Sequence, residues 1–223
     1  MDVENSPKHT VAEAAWLDAA YKLLTTQGVE AVKVMPLARM LGVSRTSFYW
    51  HFKSREALLE EMIRRWEEQN TGNLVARTEA YAESICEAMF NLFDCWLDSG
   101  LFDARLDLAV RNWARNDDAL QLRLDEADKC RSGAIADMFK RFGYSDVQAE
   151  VRSMSIIYTQ IGYISMQVTE DWHERIGRMP DYIKVFTGKY PSDSEIRRFW
   201  ARHDADAPNV GPAETAESAG PIA

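Results

Sequence analysis

MPLARMLGVSRTSFYWHFKSREALL, residues 35–59, holds two short helical segments separated by a glycine, with a third helix beginning almost at once. Leu37, Ala38 and Leu41 form an apolar stripe at helical spacing. Gly42 can turn the backbone at little steric cost, Val43 is placed to fill the angle between the helices, and Ser44 is a good N-cap for the second segment. That segment, 45–51, is too short to stand alone, so its neighbours must hold it. Phe48 and Phe52, four apart, face inward, which leaves Arg45, Thr46, Ser47, Tyr49, Trp50 and His51 around the other faces. A helix–turn–helix exposing Arg, Thr, Tyr and His is what a reader of the DNA major groove requires.

GVSRTSFYWHFKSREALL resembles the signature of the TetR family of one-component transcriptional regulators, whose recognition helix commonly ends in Tyr-x-His-Phe. Upstream, WLDAAYKLLTTQGVEAV is similar to that family's first helix and the Gly after it. The resemblance covers about residues 9–66 closely and the remainder only in its helical layout. It implies an all-α fold: an N-terminal three-helix DNA-binding head with a helix-turn-helix, and a larger C-terminal helical body for ligand binding and dimerisation. It further implies a homodimer on a palindromic double-stranded DNA operator, released by a partly hydrophobic small-molecule effector. Repression is the family's habit. A ligand-independent or activating regulator of the same fold, an adaptor and an all-helical enzyme are the alternatives.

The remaining sequence is compatible with that expectation. Of 223 residues, 46% are hydrophobic, enough for a real core, yet no apolar run reaches the length of a membrane span. The first ten residues, MDVENSPKHT, are polar and acidic rather than signal-like, so a cytoplasmic protein without a membrane anchor is expected. The net charge of −9 is unevenly spread. Residues 1–70 carry 9 basic and 10 acidic side chains, the rest 17 and 25. Within 29–58, Lys33, Arg39, Arg45, Lys53 and Arg55 face only Glu30 and Glu56. A locally basic face on an acidic protein is adequate for DNA, and the acidic body discourages indiscriminate binding.

Along the chain, residues 1–9 read as a flexible arm whose Lys8 and His9, with Thr10, can approach phosphate or the minor groove. The DNA-binding domain spans 10–69, with Thr10 and Glu13 as a capping box for its first helix. Before the second helix the family's usual Ser or Thr is replaced by Lys33-Val34-Met35-Pro36; Pro36 can open the helix, and Lys33 can meet a phosphate by charge. Lys53 and Arg55 lie at the mouth of the helix begun by Ser54, where the dipole favours a phosphate, and Lys53 is the better candidate. Polar residues 70–73 read as a break before the ligand-binding and dimerisation domain, 74–203. One long helix, from the Ser145–Gln148 capping box to about Thr169, has apolar residues on more than one face, as burial against a second subunit requires. An amphipathic piece at 174–188 precedes a final helix capped by Ser192 and Glu195. The tail, 204–223, has almost nothing to bury and reads as disordered.

The expected DNA-contacting set is Lys33, Ser44, Arg45, Thr46, Ser47, Tyr49, Trp50, His51 and Lys53. Arg45 can make two hydrogen bonds to a guanine edge, and Thr46 suits a phosphate or a thymine methyl. The resemblance places Tyr49 and His51 on the backbone and Trp50 against sugar or partly over the helix. By family analogy the effector binds among the body helices, where Met89, Phe93, Trp96, Trp113, Met154 and Tyr158 offer adaptable apolar contact, with Asp94, Arg111 and Gln160 as polar anchors. Four separated histidines and the absence of a nucleophile elbow, a phosphate-cradling loop or a metal-spaced pair give no catalytic or metal site, and no cofactor is expected. Cys86, Cys95 and Cys130 read as free thiols, buried or partly buried.

Overall fold

The computed structural model describes residues 7–203, with side chains from residue 13 onward, and every regular element among them is helical. The chain divides into two compact units, Met1–Val168 and Thr169–Ala223. Residues 1–6 of the expected arm and the expected tail at 204–223 lie outside the described residues.

Helix α1 (Pro7–Gln27) starts three residues before the Thr10 expected to cap it, so 7–9 are helical rather than part of an arm. A proline suits a first helical turn because its missing N–H has no acceptor there anyway. Trp16, Ala20, Leu23 and Leu24 are its buried face. A 3₁₀ turn (Val29–Ala31) leads to α2 (Val34–Leu41) and α3 (Arg45–Phe48). Helix α2 opens at Val34 and not at Pro36; the proline sits in its third position, still within the turn whose N–H groups lack helical acceptors. Gly42 closes α2 in the left-handed region (φ 66), returning its N–H to the Ala38 and Arg39 carbonyls. Val43 does not fill the interhelical angle: it is exposed. The buried Leu37, Ala38, Phe48 and Phe52 make the interior instead, with Trp16 edge-on to Phe48 at 5.2 Å.

The largest departure from expectation lies at residues 70–73. Instead of breaking, the chain runs as one continuous helical rod: α4 (Arg55–Trp66), a π-helical segment (Glu67–Gly72) and α5 (Asn73–Glu79). The buried stripe along it, Met62, Trp66, Asn70, Leu74 and Thr78, repeats every four residues. In an ideal α-helix such a repeat drifts about 40° per step. The wider π turns absorb the drift and hold the stripe on one face. The polar residues that look like a linker are tied down. Asn70 donates to the Asp103 carbonyl (3.0 Å) and accepts from its N–H (2.9 Å). Gln69 donates to the Ser99 carbonyl (2.8 Å), and Asn73 to that of Leu101 (3.0 Å).

Helices α6 (Ile85–Leu97), α7 (Ala104–Ala114), α8 (Asp118–Arg141) and α9 (Asp146–Ser165) complete the first unit. Ser84, Asp103, Asp117 and Ser145 cap them, the last through the expected capping box. Helix α9 stops short of Thr169, with Gln167 turning left-handed (φ 50) just beyond it. One apolar core joins α1, α2 and α4 to Leu106, Val110 and Ala114 of α7 and Leu120, Leu124 and Ala127 of α8. Head and body are therefore packed on each other and not strung on a linker. Burial, together with a hydrogen bond to and the charge of Asp103, pushes the Tyr21 hydroxyl of α1 up to about 12.

In the second unit, the amphipathic piece expected at 174–188 is two helices, α10 (Trp172–Gly177) and α11 (Met179–Thr187), succeeded by α12 (Asp193–Arg202) with the expected Ser192 capping box. Among the described residues no helix is long and apolar enough to cross a membrane.

Candidate nucleic-acid interface and body cavity

Local chemistry presents the head's reading surface. The Ser44 hydroxyl accepts from the Ser47 N–H (3.4 Å), fixing the start of α3. The helix expected over 45–51 is α-helical only to Phe48, because Tyr49, Trp50 and His51 continue it with tighter bonds from three residues back, at 3.2, 3.4 and 3.0 Å. That tightening packs Phe48 and Phe52 inward (5.5 Å between rings) and turns the rest out. Lys33, Ser44, Arg45, Thr46, Tyr49, Trp50 and Lys53 are exposed, Trp50 by 73%, while Ser47 and His51 are half-buried. Arg45 donates to the Tyr49 hydroxyl (3.1 Å) and lies 5.6 Å over its ring, so its guanidinium is already partly ordered. Arg55 does not face outward: its guanidinium caps the Val32 and Val29 carbonyls at 2.6 and 2.8 Å, stapling α4 to the turn after α1. That leaves Lys53 as the exposed cation at the mouth of α4, where Ser54 accepts from the Ala57 N–H (3.2 Å).

Above the head, a charged cluster is buried where α4 becomes π-helical. Asp107 accepts from Trp66 Nε1 (2.9 Å), Arg131 Nη1 (3.0 Å) and Arg111 Nε (2.7 Å). Arg111 also grips Asp128 with two bonds, 2.8 and 2.7 Å. Arg131 donates Nε to the Thr71 hydroxyl (2.9 Å), and its guanidinium lies 5.0 Å from the Trp66 ring and 5.2 Å from that of Phe102. Burial alone would push the Asp107 carboxyl up, but the charges of Arg131 and Arg111, with the Arg111 and Trp66 hydrogen bonds, hold it below the usual carboxylate range.

Beside this cluster is a small cavity with room for about one water molecule. Asp107, Arg111, Asp128 and Arg131 form one wall; Trp96, Ile157, Gln160 and Ile164 stand among the others. Of the six expected effector contacts, Trp96 alone lines it. Met89 and Phe93 are core residues. Trp113 packs against the core shared with the head and donates to Asp117 (3.2 Å). Met154 and Tyr158 are on the outward face of α9. Arg111 and Gln160 do line the cavity, while Asp94 pairs with Arg77 at 3.5 Å. Cys86 and Cys95 are buried and Cys130 is exposed; burial pushes the Cys95 thiol up to about 12, which keeps it unreactive.

Sequence reasoning missed Asp107, Arg131 and Asn70, although a signal was present. Arg131 occupies a core position between Leu124, Ala127 and Ile135, Asn70 falls between Trp66 and Leu74, and Asp107 lies three residues before Val110. A polar residue inside an apolar stripe marks a buried polar group.

Residues 17–62 match the family model described as bacterial regulatory proteins, tetR family. The HTH-type transcriptional regulator AcrR of Shigella flexneri is 38% identical over 66 residues, 29% of each chain, so this chain spans under a third of that relative's length. The regulator AlkX of Mycobacterium tuberculosis is 26% identical over 160 residues, 70% of this chain and 75% of that one. The crystal structure of AmtR from Mycobacterium smegmatis superposes with a TM-score of 0.59 at 16% identity, covering 92% of this chain and 99% of the other. That of a transcriptional regulator from Streptomyces coelicolor gives 0.54 at 18%, covering 80% and 99%. These likenesses extend the fold to the body, and the head carries the sequence match. Residues 17–62 thus carry the N-terminal domain of the tetR family of bacterial regulatory proteins.

Proposed function

We propose that the protein is a cytoplasmic, ligand-responsive repressor that binds a palindromic operator as a homodimer and is released by a small-molecule effector. The observation that carries this is the exposed recognition surface, with Arg45, Thr46, Tyr49 and Trp50 turned out from a capped, internally packed helix–turn–helix. Several relatives bear matching names, among them the tetracycline repressor of class D from Escherichia coli, 37% identical over 46 residues. Phosphate contacts would come from Lys33, Lys53 and Tyr49, and direct base reading from Arg45.

A second copy of the chain has a natural docking face. Val147, Val151, Met154 and Tyr158 repeat at helical spacing along the exposed side of α9, whose opposite side buries Ala149, Ser153, Ile156 and Ile157. Tyr158→Glu is expected to weaken dimerisation about tenfold or more, seen by sedimentation, with helix content retained. Unchanged dimerisation would move the interface elsewhere.

Release is explained by the rod. Because α4 runs unbroken from the head into the body and is tied at Trp66 to Asp107, an effector that repacks the cavity wall would tilt the recognition helices away from the spacing of about 34–36 Å that successive major grooves demand. A coupling of about 1–3 kcal/mol suffices for release. Fluorescence anisotropy with duplex DNA from immediately upstream of the gene, against random competitor, tests the reading. Competitor-resistant binding at two subunits per site or a multiple supports it; binding no stronger than to random DNA across all genomic fragments refutes it.

A further inference from the structure

Helix α2 starts without a side-chain cap: Lys33 stands at the capping position, and an ammonium has no lone pair with which to accept. The backbone entering α2 is nevertheless pinned at both ends of one peptide. The Val32 carbonyl accepts from Arg55 Nε (2.6 Å), and the Lys33 N–H donates to the Ala31 carbonyl (2.9 Å). Arg55 Nη2 also holds the Val29 carbonyl (2.8 Å), the same oxygen that takes the Val32 N–H (3.1 Å). Val32 is buried and Arg55 half-buried, a setting in which hydrogen bonds from a charged donor are strong. Lys33 projects its exposed side chain from this pinned peptide, and its carbonyl opens α2 by accepting from the Leu37 N–H (3.1 Å). The direction of Lys33 is therefore set by a residue of α4. Lys53, the other exposed cation nearby, is held differently: it adjoins Ser54, whose hydroxyl caps α4 locally.

We propose that Arg55 is a positioning residue for DNA binding, which takes the place of the missing cap of α2 and aims Lys33 at a backbone phosphate. The assignment rests on the DNA-binding reading above. Arg55 acts by the shape of its guanidinium, a planar fork that bridges two carbonyls, and not by charge on the DNA; a lysine there keeps the charge and loses the fork.

The test uses the full chain carrying Arg55→Met, Arg55→Lys, Lys33→Ala or Lys53→Ala, and the doubles of Arg55→Met with each lysine change. Without DNA, amide hydrogen exchange at Val32, Lys33 and Leu37 should speed up about tenfold or more in both Arg55 variants, while core amides around Phe48 keep their protection. Arg55→Lys carries the comparison alone should Arg55→Met fail to fold. Anisotropy with the upstream duplex should show Arg55→Met weakened about 3–10-fold and Arg55→Lys within about twofold of it. The loss should vanish in the Lys33→Ala background and persist in the Lys53→Ala background, a pattern that general destabilisation of the head would not produce. Wild-type affinity in Arg55→Lys, additive losses for Arg55→Met and Lys33→Ala, or unchanged exchange at residues 32–37 would overturn the proposal. So would an ineffective Lys33→Ala, which leaves the repressor reading standing if Arg45→Ala still weakens binding. Wild-type binding no stronger than to random DNA strikes the repressor reading instead. The same cycle on random duplex at low salt, where phosphate contacts alone hold the protein, then still decides the role of Arg55.

Discussion

Asp107→Ala is expected to destabilise the protein by about 3–5 kcal/mol, the cost of leaving buried charge without its partner. Asp107 is fully buried and is the acceptor on which Arg131, Arg111 and Trp66 converge. Removing it leaves Arg131 with Asp128 at 3.4 Å as its remaining carboxylate. The double change Asp107→Leu with Arg131→Met should recover much of the loss, because an apolar pair of similar volume no longer carries the desolvation cost. Urea unfolding of wild type, Asp107→Leu, Arg131→Met and the double variant checks this; a double variant as unstable as the sum of the two singles would mean the pair is not coupled. The pH dependence has a fixed sign. A carboxyl held below its unfolded value stabilises at neutral pH, and this contribution erodes as pH falls below about 4 and through the folded value. The stability gap between wild type and Asp107→Ala should therefore narrow in acid.

Arg45→Ala should lower operator affinity by about 1–3 kcal/mol, roughly 5–150-fold, and relax discrimination at one base pair in each half-site. Arg45 is exposed and held by Tyr49, so its loss removes an ordered donor without disturbing the head's interior. Lys53→Ala is the internal comparison: it should weaken binding evenly across sequences and reduce the salt slope by about one. Titrations against operators mutated at each position separate the two. An even loss for Arg45→Ala would assign it to phosphate.

How far the sequence could be read depended on whether a feature was local. Ser44, Gly42, Ser54, Ser145 and Ser192 act within a turn or two of their own positions, and each caps or turns a helix as its residue type requires. Elements whose ends are set by distant partners were not legible. Residues 70–73 look like a linker until the backbone of Leu101 and Asp103, far along the chain, is seen to take their hydrogen bonds. Arg55, similarly, is a cation at a helix mouth by sequence and a carbonyl clamp once the turn after α1 is beside it. For the cavity, aromatic and Met residues at helical spacing do not say which face of their helix they occupy. Met89 and Phe93 went to the core, Met154 and Tyr158 to the outside, and the polar wall came from stripes where charges look like interruptions.

The exposed face of the helix–turn–helix should read a two-fold symmetric DNA sequence. Selection of bound duplexes from a fully randomised library, with sequencing of the recovered pool, is the decisive experiment. The expected product is an inverted repeat whose half-site centres are one helical turn, about 34–36 Å, or a multiple apart, with the base pair facing Arg45 lost from the motif when the Arg45→Ala protein is used. A pool with no enriched sequence, or a single unrepeated motif unchanged by Arg45→Ala, would contradict this reading.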